Sequence, residues 1–276
     1  MIGPISPGHQ HVVVIFAGMK HRALPWGLLC VFLVTGKAML FGQVVNTEER
    51  RLTDKDTGWV GSISLSGGYQ ENIQTIYTAD ADMRLQYMPE ISDTWLLLGN
   101  YSLWRADGVN FINNGYLHLR RTWRAHKTVS PEAFVQAQRN LVFRSDARML
   151  AGAGLRYHLI GRRDTSRFFL SLGTVYMLEY EDETDEGPVH RDQRLSNYIS
   201  FSWEPRSGFQ LINTTYYLPK LADFADYRIL SDAQLRFPLN GYLYYRMSLS
   251  ILFDTRPPAQ IPERWLSLQN GIGAQF

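Results

Sequence analysis

The stretch Trp265-Leu-Ser-Leu-Gln-Asn-Gly-Ile-Gly-Ala-Gln-Phe276 decides the reading of this 276-residue chain. Taken two at a time, one face holds Leu266, Leu268, Asn270, Ile272, Ala274 and Phe276. The other holds Trp265, Ser267, Gln269, Gly271, Gly273 and Gln275. Side chains of a strand point alternately to opposite sides, so a period of two separates the faces cleanly. An apolar face opposite a small, polar one predicts a strand with hydrocarbon on one side and water on the other.

A last strand that ends on an aromatic residue resembles the signal by which outer-membrane β-barrels are recognised and inserted. In that resemblance Gln269, Gly271, Ala274 and Phe276 take the polar, glycine, hydrophobic and aromatic positions. The front of the chain supplies a second sign of export. Lys20-His-Arg22 is a basic start, and residues 23–36 (ALPWGLLCVFLVTG) form an apolar run of signal-peptide length, too short to span a bilayer. Cleavage after Gly42 would leave Gln43 first. The expected organisation is therefore a leader over 1–42 with Met19 as its initiator, a short lead-in over 43–57 and a barrel over 58–276. A membrane anchor built from residues 12–36 is disfavoured by Pro25 and by the Lys20-His-Arg22 interruption.

The leader changes the charge reading. Removing its Lys20, Arg22 and Lys37 from the chain's 28 basic residues leaves 25 against 26 acidic ones. The basic balance of the whole sequence is thus no argument for nucleic acid. The single cysteine, Cys30, lies in the apolar run, so the exported part has neither disulfide nor thiolate chemistry.

Beyond residue 43 no apolar stretch is long enough for a transmembrane helix. Alternation recurs instead, punctuated by turn residues. It predicts twelve strands, near 58–70, 74–88, 94–105, 110–126, 132–145, 147–160, 166–181, 192–204, 207–219, 225–238, 240–254 and 263–276. In the second, Tyr77, Ala79, Ala81, Met83, Leu85 and Tyr87 oppose Asp80, Asp82, Arg84 and Gln86. In the tenth, Tyr227, Ile229, Ala233, Leu235 and Phe237 oppose Arg228, Asp232, Gln234 and Arg236. In the eleventh, Leu243, Tyr245, Met247, Leu249, Ile251 and Phe253 oppose Tyr244, Arg246, Ser248, Ser250 and Asp254. A charge facing lipid at mid-depth costs about 2–4 kcal/mol, so the charged sets belong inside. Trp59, Tyr69, Trp95, Trp104, Trp123, Tyr157, Tyr180, Trp203, Tyr217 and Trp265 fall at strand ends, as in interfacial girdles. The connections predict tight periplasmic turns and longer outer loops, Asp182–Asp192 and Asp254–Pro262. The fold expected is all-β: a transmembrane antiparallel up-and-down β-barrel of about 12 strands. A soluble barrel would put the apolar face inward and leave the terminal Phe and the girdle as accidents.

Val45-Asn-Thr-Glu48, Gly58-Trp-Val-Gly-Ser62, Phe111-Ile-Asn-Asn-Gly-Tyr-Leu-His118 and Leu172-Gly-Thr-Val-Tyr-Met-Leu-Glu-Tyr-Glu181 resemble domain-of-unknown-function family 481. Asp226-Tyr-Arg228 after Tyr216-Tyr-Leu-Pro219 fits the same family. Its members are described as salt-induced outer-membrane proteins. The resemblance implies an outer-membrane barrel and supplies no reaction; a channel is an extrapolation from the fold.

The exported histidines, His118, His126, His158 and His190, have no metal-ligand spacing. Neither a nucleophile elbow nor a phosphate loop is present. No catalytic residue, metal or cofactor is expected. The one enzyme alternative is a phospholipase-like barrel, for which Ser102 with His118 is the available pairing. The acidic run Glu179–Glu186 reads as a solvated loop, or as a cation or lipopolysaccharide contact. Arg120-Arg121 and Arg162-Arg163 read as rim or turn residues. The lumen-lining candidates are Asp80, Asp82, Arg84, Arg156, Glu179, Arg194, Arg228, Asp232, Arg236 and Arg246. Such charges either steer small solutes or fill the interior as cross-strand ion pairs. The function expected is a small passive channel or an envelope-integrity barrel in the outer membrane of a Gram-negative bacterium. Its expected partners are outer-membrane lipids, the barrel-assembly machinery and periplasmic chaperones.

Overall fold

The computed structural model describes residues 11–16, 57–90, 93–123, 128–161, 167–184, 187–205 and 208–274. Its strands are β1 (His11–Phe16), β2 (Gly58–Glu71), β3 (Thr75–Glu90), β4 (Asp93–Ala106), β5 (Val109–Trp123), β6 (Val129–Asn140) and β7 (Ser145–Ile160). They continue with β8 (Phe168–Glu183), β9 (Val189–Trp203), β10 (Gln210–Lys220), β11 (Asp223–Pro238), β12 (Leu243–Asp254) and β13 (Arg264–Ala274). All join one sheet in chain order, each antiparallel to the next. The twelve strands β2–β13 correspond one for one to the expected twelve. Short β1 lies within the segment read as the leader and pairs along the outer edge of β2. Among the described residues no ladder joins β2 to β13. Phe276, Gln43, Arg162 and Arg163 lie outside the described residues, as does most of the leader.

The sheet is strongly curled. Glu179 on β8 bonds Arg228 on β11 at 2.7 Å, and Glu132 on β6 accepts from Tyr198 on β9 at 2.6 Å. Three strand spacings in a flat sheet are about 14 Å, so such bonds form only across a concave face. Phe143, just after β6, reaches Trp265 on β13 with ring centroids 6.3 Å apart.

Which side chains face inward follows the alternation. Trp59, Leu65, Tyr77, Leu117, Val135, Leu266 and Leu268 are exposed on the convex face. His118, Glu132, Arg148, Arg156, Ser171 and Thr214 are buried on the concave one. This inverts the arrangement of a water-soluble domain and is that of a barrel wall in lipid. Trp104 and Trp265 depart from the girdle expected of them. They share the inward register of their strands with Ser102 and Ser267, whereas Trp59, Trp95, Trp123 and Trp203 face outward.

Local chemistry sets the turns. Asp107 (φ 47°) and Gly108 (φ 83°) both occupy the left-handed region, as a two-residue hairpin between twisted strands requires. The expected strand 132–145 stops early because Asn140 bends the chain. Its side chain accepts from the N–H groups of Val142 and Phe143, closing a 3-10 turn over Leu141–Phe143.

The hairpin tips form two rims. The upper rim lies where β2, β4, β6, β8, β10 and β12 end, and the lower rim where β3, β5, β7, β9 and β11 end. The expected contrast between tight turns below and long loops above is not present. Upper connections range from two residues to nine, and lower ones from two to seven. The 182–192 loop shrinks because β8 runs on through Glu183. Of the acidic run, Glu179 and Glu181 face the interior and are paired there with arginines.

Candidate functional site: the barrel interior

The inner face is filled in layers over β5–β12. In the middle lie Phe134, Leu150, Val175, Met177, Tyr216, Leu218, Leu230 and Leu252, all buried. Charged layers sit above and below them.

The upper layer centres on Glu179. Its carboxylate takes Arg148 of β7 at 2.5 Å, Arg194 of β9 at 2.8 Å and Arg228 of β11 at 2.7 Å. The arginines are held in turn by Glu181, Asp226 and Asp254: Arg228 reaches Glu181 at 3.3 Å and Asp254 at 2.7 Å, and Arg194 reaches Asp226 at 3.0 Å. Lys220 and Asp192 extend the network to its edge at 2.7 Å. Guanidinium forks suit this task because each offers several fixed donors to different carboxylates.

The lower layer centres on Glu132. It receives Arg120 at 3.3 Å, Arg156 at 3.2 Å and the hydroxyl of Tyr198 at 2.6 Å. Arg156 also donates to the Tyr198 oxygen at 2.9 Å. Tyr198 fits because its cross-strand partner is Gly173, where a Cβ would overlap the tyrosine ring. Gly152 and Gly154 allow a similar closeness between β7 and its neighbours.

The remaining part of the inner face is built differently. The inward register of β2 carries Ser62, Ser64 and Ser66; that of β12 carries Ser248 and Ser250; that of β13 carries Ser267. All six are partly exposed. Charges on the flanking strands run in the same order on both sides. Asp80 and Asp82 precede Arg84 from the upper end of β3, and Asp232 precedes Arg236 down β11. Ser102 donates to Asp80 at 2.5 Å, and Arg84 bonds Asp82 at 3.3 Å. Arg236 pairs in register with Arg246 and stacks 3.9 Å over the Tyr244 ring. A cavity of about 620 Å³ opens beside it at the lower rim, between Glu204, Gln210, Tyr242 and Tyr244.

All ten candidate charges fall on the inner face, but they divide. Arg156, Glu179, Arg194 and Arg228 are locked in the buried layers, whereas Asp80, Asp82, Arg84, Asp232, Arg236 and Arg246 lie in the sparser part. Sequence reasoning placed Asp254 inside without naming it a candidate, and it missed Glu132, Arg148, Glu181 and Asp226; together these five complete the networks. It also placed Arg120 at the rim, where the structure buries it against Glu132. Its neighbour Arg121 does sit at the lower rim. It is paired with Asp93 at 2.7 Å and lies 4.6 Å from the Trp95 and Trp123 ring centroids. At the upper rim, outside the span, the Ala225 N–H and the Arg256 guanidinium hold the Asp223 carboxyl below its ordinary range.

The Ser102–His118 pairing is not assembled. Ser102 opposes Asn114, and His118 opposes Leu98, four residues further along the same ladder and so about 13 Å away. His118 Nδ1 is bonded to Gln136 at 2.9 Å. A different contact, Ser130 Oγ to His158 Nε2 at 3.1 Å, does form, but toward the interior. Among the described residues no cluster of His, Cys, Asp and Glu is arranged to hold a metal ion.

An up-and-down barrel with an inverted surface and a charge-layered interior defines the class. Within it, the chain belongs to the family described as "Protein of unknown function, DUF481", whose model matches residues 52–268. No curated protein matches the chain. A solved structure of the NanC porin is 12% identical with a TM-score of 0.46, covering 78% of this chain and 100% of that one.

Proposed function

We propose that the chain is an integral outer-membrane barrel that passes small polar solutes along the hydroxyl-lined part of its interior. The observation carrying this reading is the run of short inward side chains, Ser62, Ser64, Ser66, Ser248, Ser250 and Ser267, beside an interior otherwise packed with ion pairs. Short hydroxyls leave room for water and offer both donors and acceptors to a solute in transit. The outward apolar face and the aromatic rim support a bilayer setting, and the leader supports export. In this reading the barrel-assembly machinery recognises the last strand, with periplasmic chaperones acting before it. We assign no enzymatic role.

The test is conductance of the refolded protein in planar bilayers. Ser64→Trp combined with Ser250→Trp should remove most of the single-channel current. A wild-type protein that inserts and conducts nothing rejects the channel and favours the envelope-integrity role. If the path conducts, Arg236→Gln with Arg246→Gln should shift the reversal potential toward cations, because Asp80, Asp82 and Asp232 then dominate its charge. An unchanged reversal potential excludes those arginines from the lining. A lipid-hydrolysis assay on the same protein, with His158→Ala and His118→Ala as controls, tests the barrel-hydrolase alternative; turnover abolished by either change would establish it.

A further inference from the structure

At mid-height the convex face is apolar on most strands: Ile63 and Leu65 on β2, Leu117 on β5, Val135 on β6, Leu249 on β12 and Leu268 on β13. Strands β8 to β11 break this pattern together. Thr174, Asn197, Asn213, Thr215 and Ser231 all face outward there, each in the register opposite its buried neighbours. They form two joined groups. Thr174 donates to Asn197 Oδ1 at 2.9 Å. Asn213 Nδ2 donates to Ser231 at 3.2 Å, Thr215 donates to Asn213 Oδ1 at 3.2 Å, and Thr215 meets Ser231 at 2.9 Å.

The aromatic residues fix the depth. Thr174 stands midway between Phe168 and Tyr180 on β8, and Ser231 lies four residues from Tyr227 and six from Phe237 on β11. Tyr217, the register partner of Asn197, shares this depth and so departs from the girdle expected of it. Six residues along a strand tilted about 45° amount to roughly 14 Å of depth, half the apolar band. The patch therefore lies at the bilayer centre, where lipid offers no hydrogen-bond partner. The Nδ2 group of Asn197 has no acceptor among the described residues. An amide donor pointing outward at that depth is costly unless another protein surface meets it.

We propose that the β8–β11 face is where two copies of this barrel meet within the membrane. The groups of the patch are uncharged, and each amide or hydroxyl both donates and accepts. A two-fold axis through it therefore offers the Asn197 Nδ2 group an acceptor from the same patch of the second copy, as an isologous contact requires. The proposal rests on the bilayer reading above but not on conduction.

The test uses the refolded full-length chain in phosphatidylcholine vesicles. Insertion is scored first, by protease protection and by the heat-sensitive mobility of the folded band. Association is then followed by energy transfer between two labelled populations as lipid is added. The wild type should transfer energy, and the signal should fall on dilution with the mass of a dimer in detergent sedimentation. Asn197→Leu with Asn213→Leu should weaken the dimer about tenfold or more. Should that pair fail to insert, Thr215→Val with Ser231→Ala provides the same test. An inserted wild type that stays monomeric at high protein density overturns the proposal, as does an inserted variant of unchanged dimer affinity. Failure of the wild type to insert overturns the bilayer reading and this inference with it.

Discussion

Glu179→Ala should cost the folded barrel about 3–5 kcal/mol, the scale for breaking a buried ion pair by removing one partner. Glu179 is 4% exposed, and its carboxylate serves Arg148, Arg194 and Arg228, which come from three different strands. Without it the arginines retain Glu181, Asp226 and Asp254, but lose the group they share and face one another across a buried space. The folded band on a gel should then convert to the unfolded position at a temperature lower by tens of degrees. Asp82→Ala, in the sparser part of the interior, should leave that temperature nearly unchanged, because the Arg84 it releases is over a third exposed. Equal shifts for both substitutions would show that the Glu179 network does not set stability.

Gly173→Leu should be nearly as damaging, through geometry rather than charge. The Tyr198 ring rests on this glycine, and its hydroxyl donates to Glu132. A leucine side chain must displace the ring. The cost is about 1–3 kcal/mol of overpacking, with a similar amount for the buried carboxylate that loses a donor. Tyr198→Phe separates the two contributions: it keeps the ring and removes only the hydroxyl, so it should cost about 1–3 kcal/mol. Thermal denaturation of both variants in the same detergent measures the difference. A Gly173→Leu barrel as stable as the wild type would mean that Tyr198 is not seated where the structure has it.

The contrast between what alternation discloses and what it leaves hidden runs through these residues. Strand number and facing were legible because a lipid-facing charge is so costly that sequence must respect the two-residue period. Arg228 could thus be placed inside from its neighbours Tyr227 and Ile229 alone. Which carboxylates it pairs with could not be read the same way. Alternation carries no information about stagger or curl, and Glu179 meets Arg228 only because the sheet bends across three strands. Arg120 was misplaced for a related reason. A double arginine beside Trp123 looks like a rim motif, yet adjacent residues point opposite ways, and only Arg121 faces the girdle. Glu179 and Glu181 read as part of an acidic loop because their arginine partners lie more than a dozen residues away in the chain. The hydroxyl-lined part of the interior was visible residue by residue in β12 and β13, but its asymmetry emerges only once the filled layers are in place. The mid-depth polar patch went unread because each strand contributes only one or two of its members.

The uneven packing has a consequence for assembly. The dense layers join β5 through β12, contiguous in the chain, whereas β2 and β13 bring mainly small hydroxyls and glycines to the inner face. A keel built in the middle of the sequence can consolidate before the termini approach. The final seam then has few bulky groups to rearrange and no buried charges to dehydrate, which makes late closure the cheapest part of the folding route.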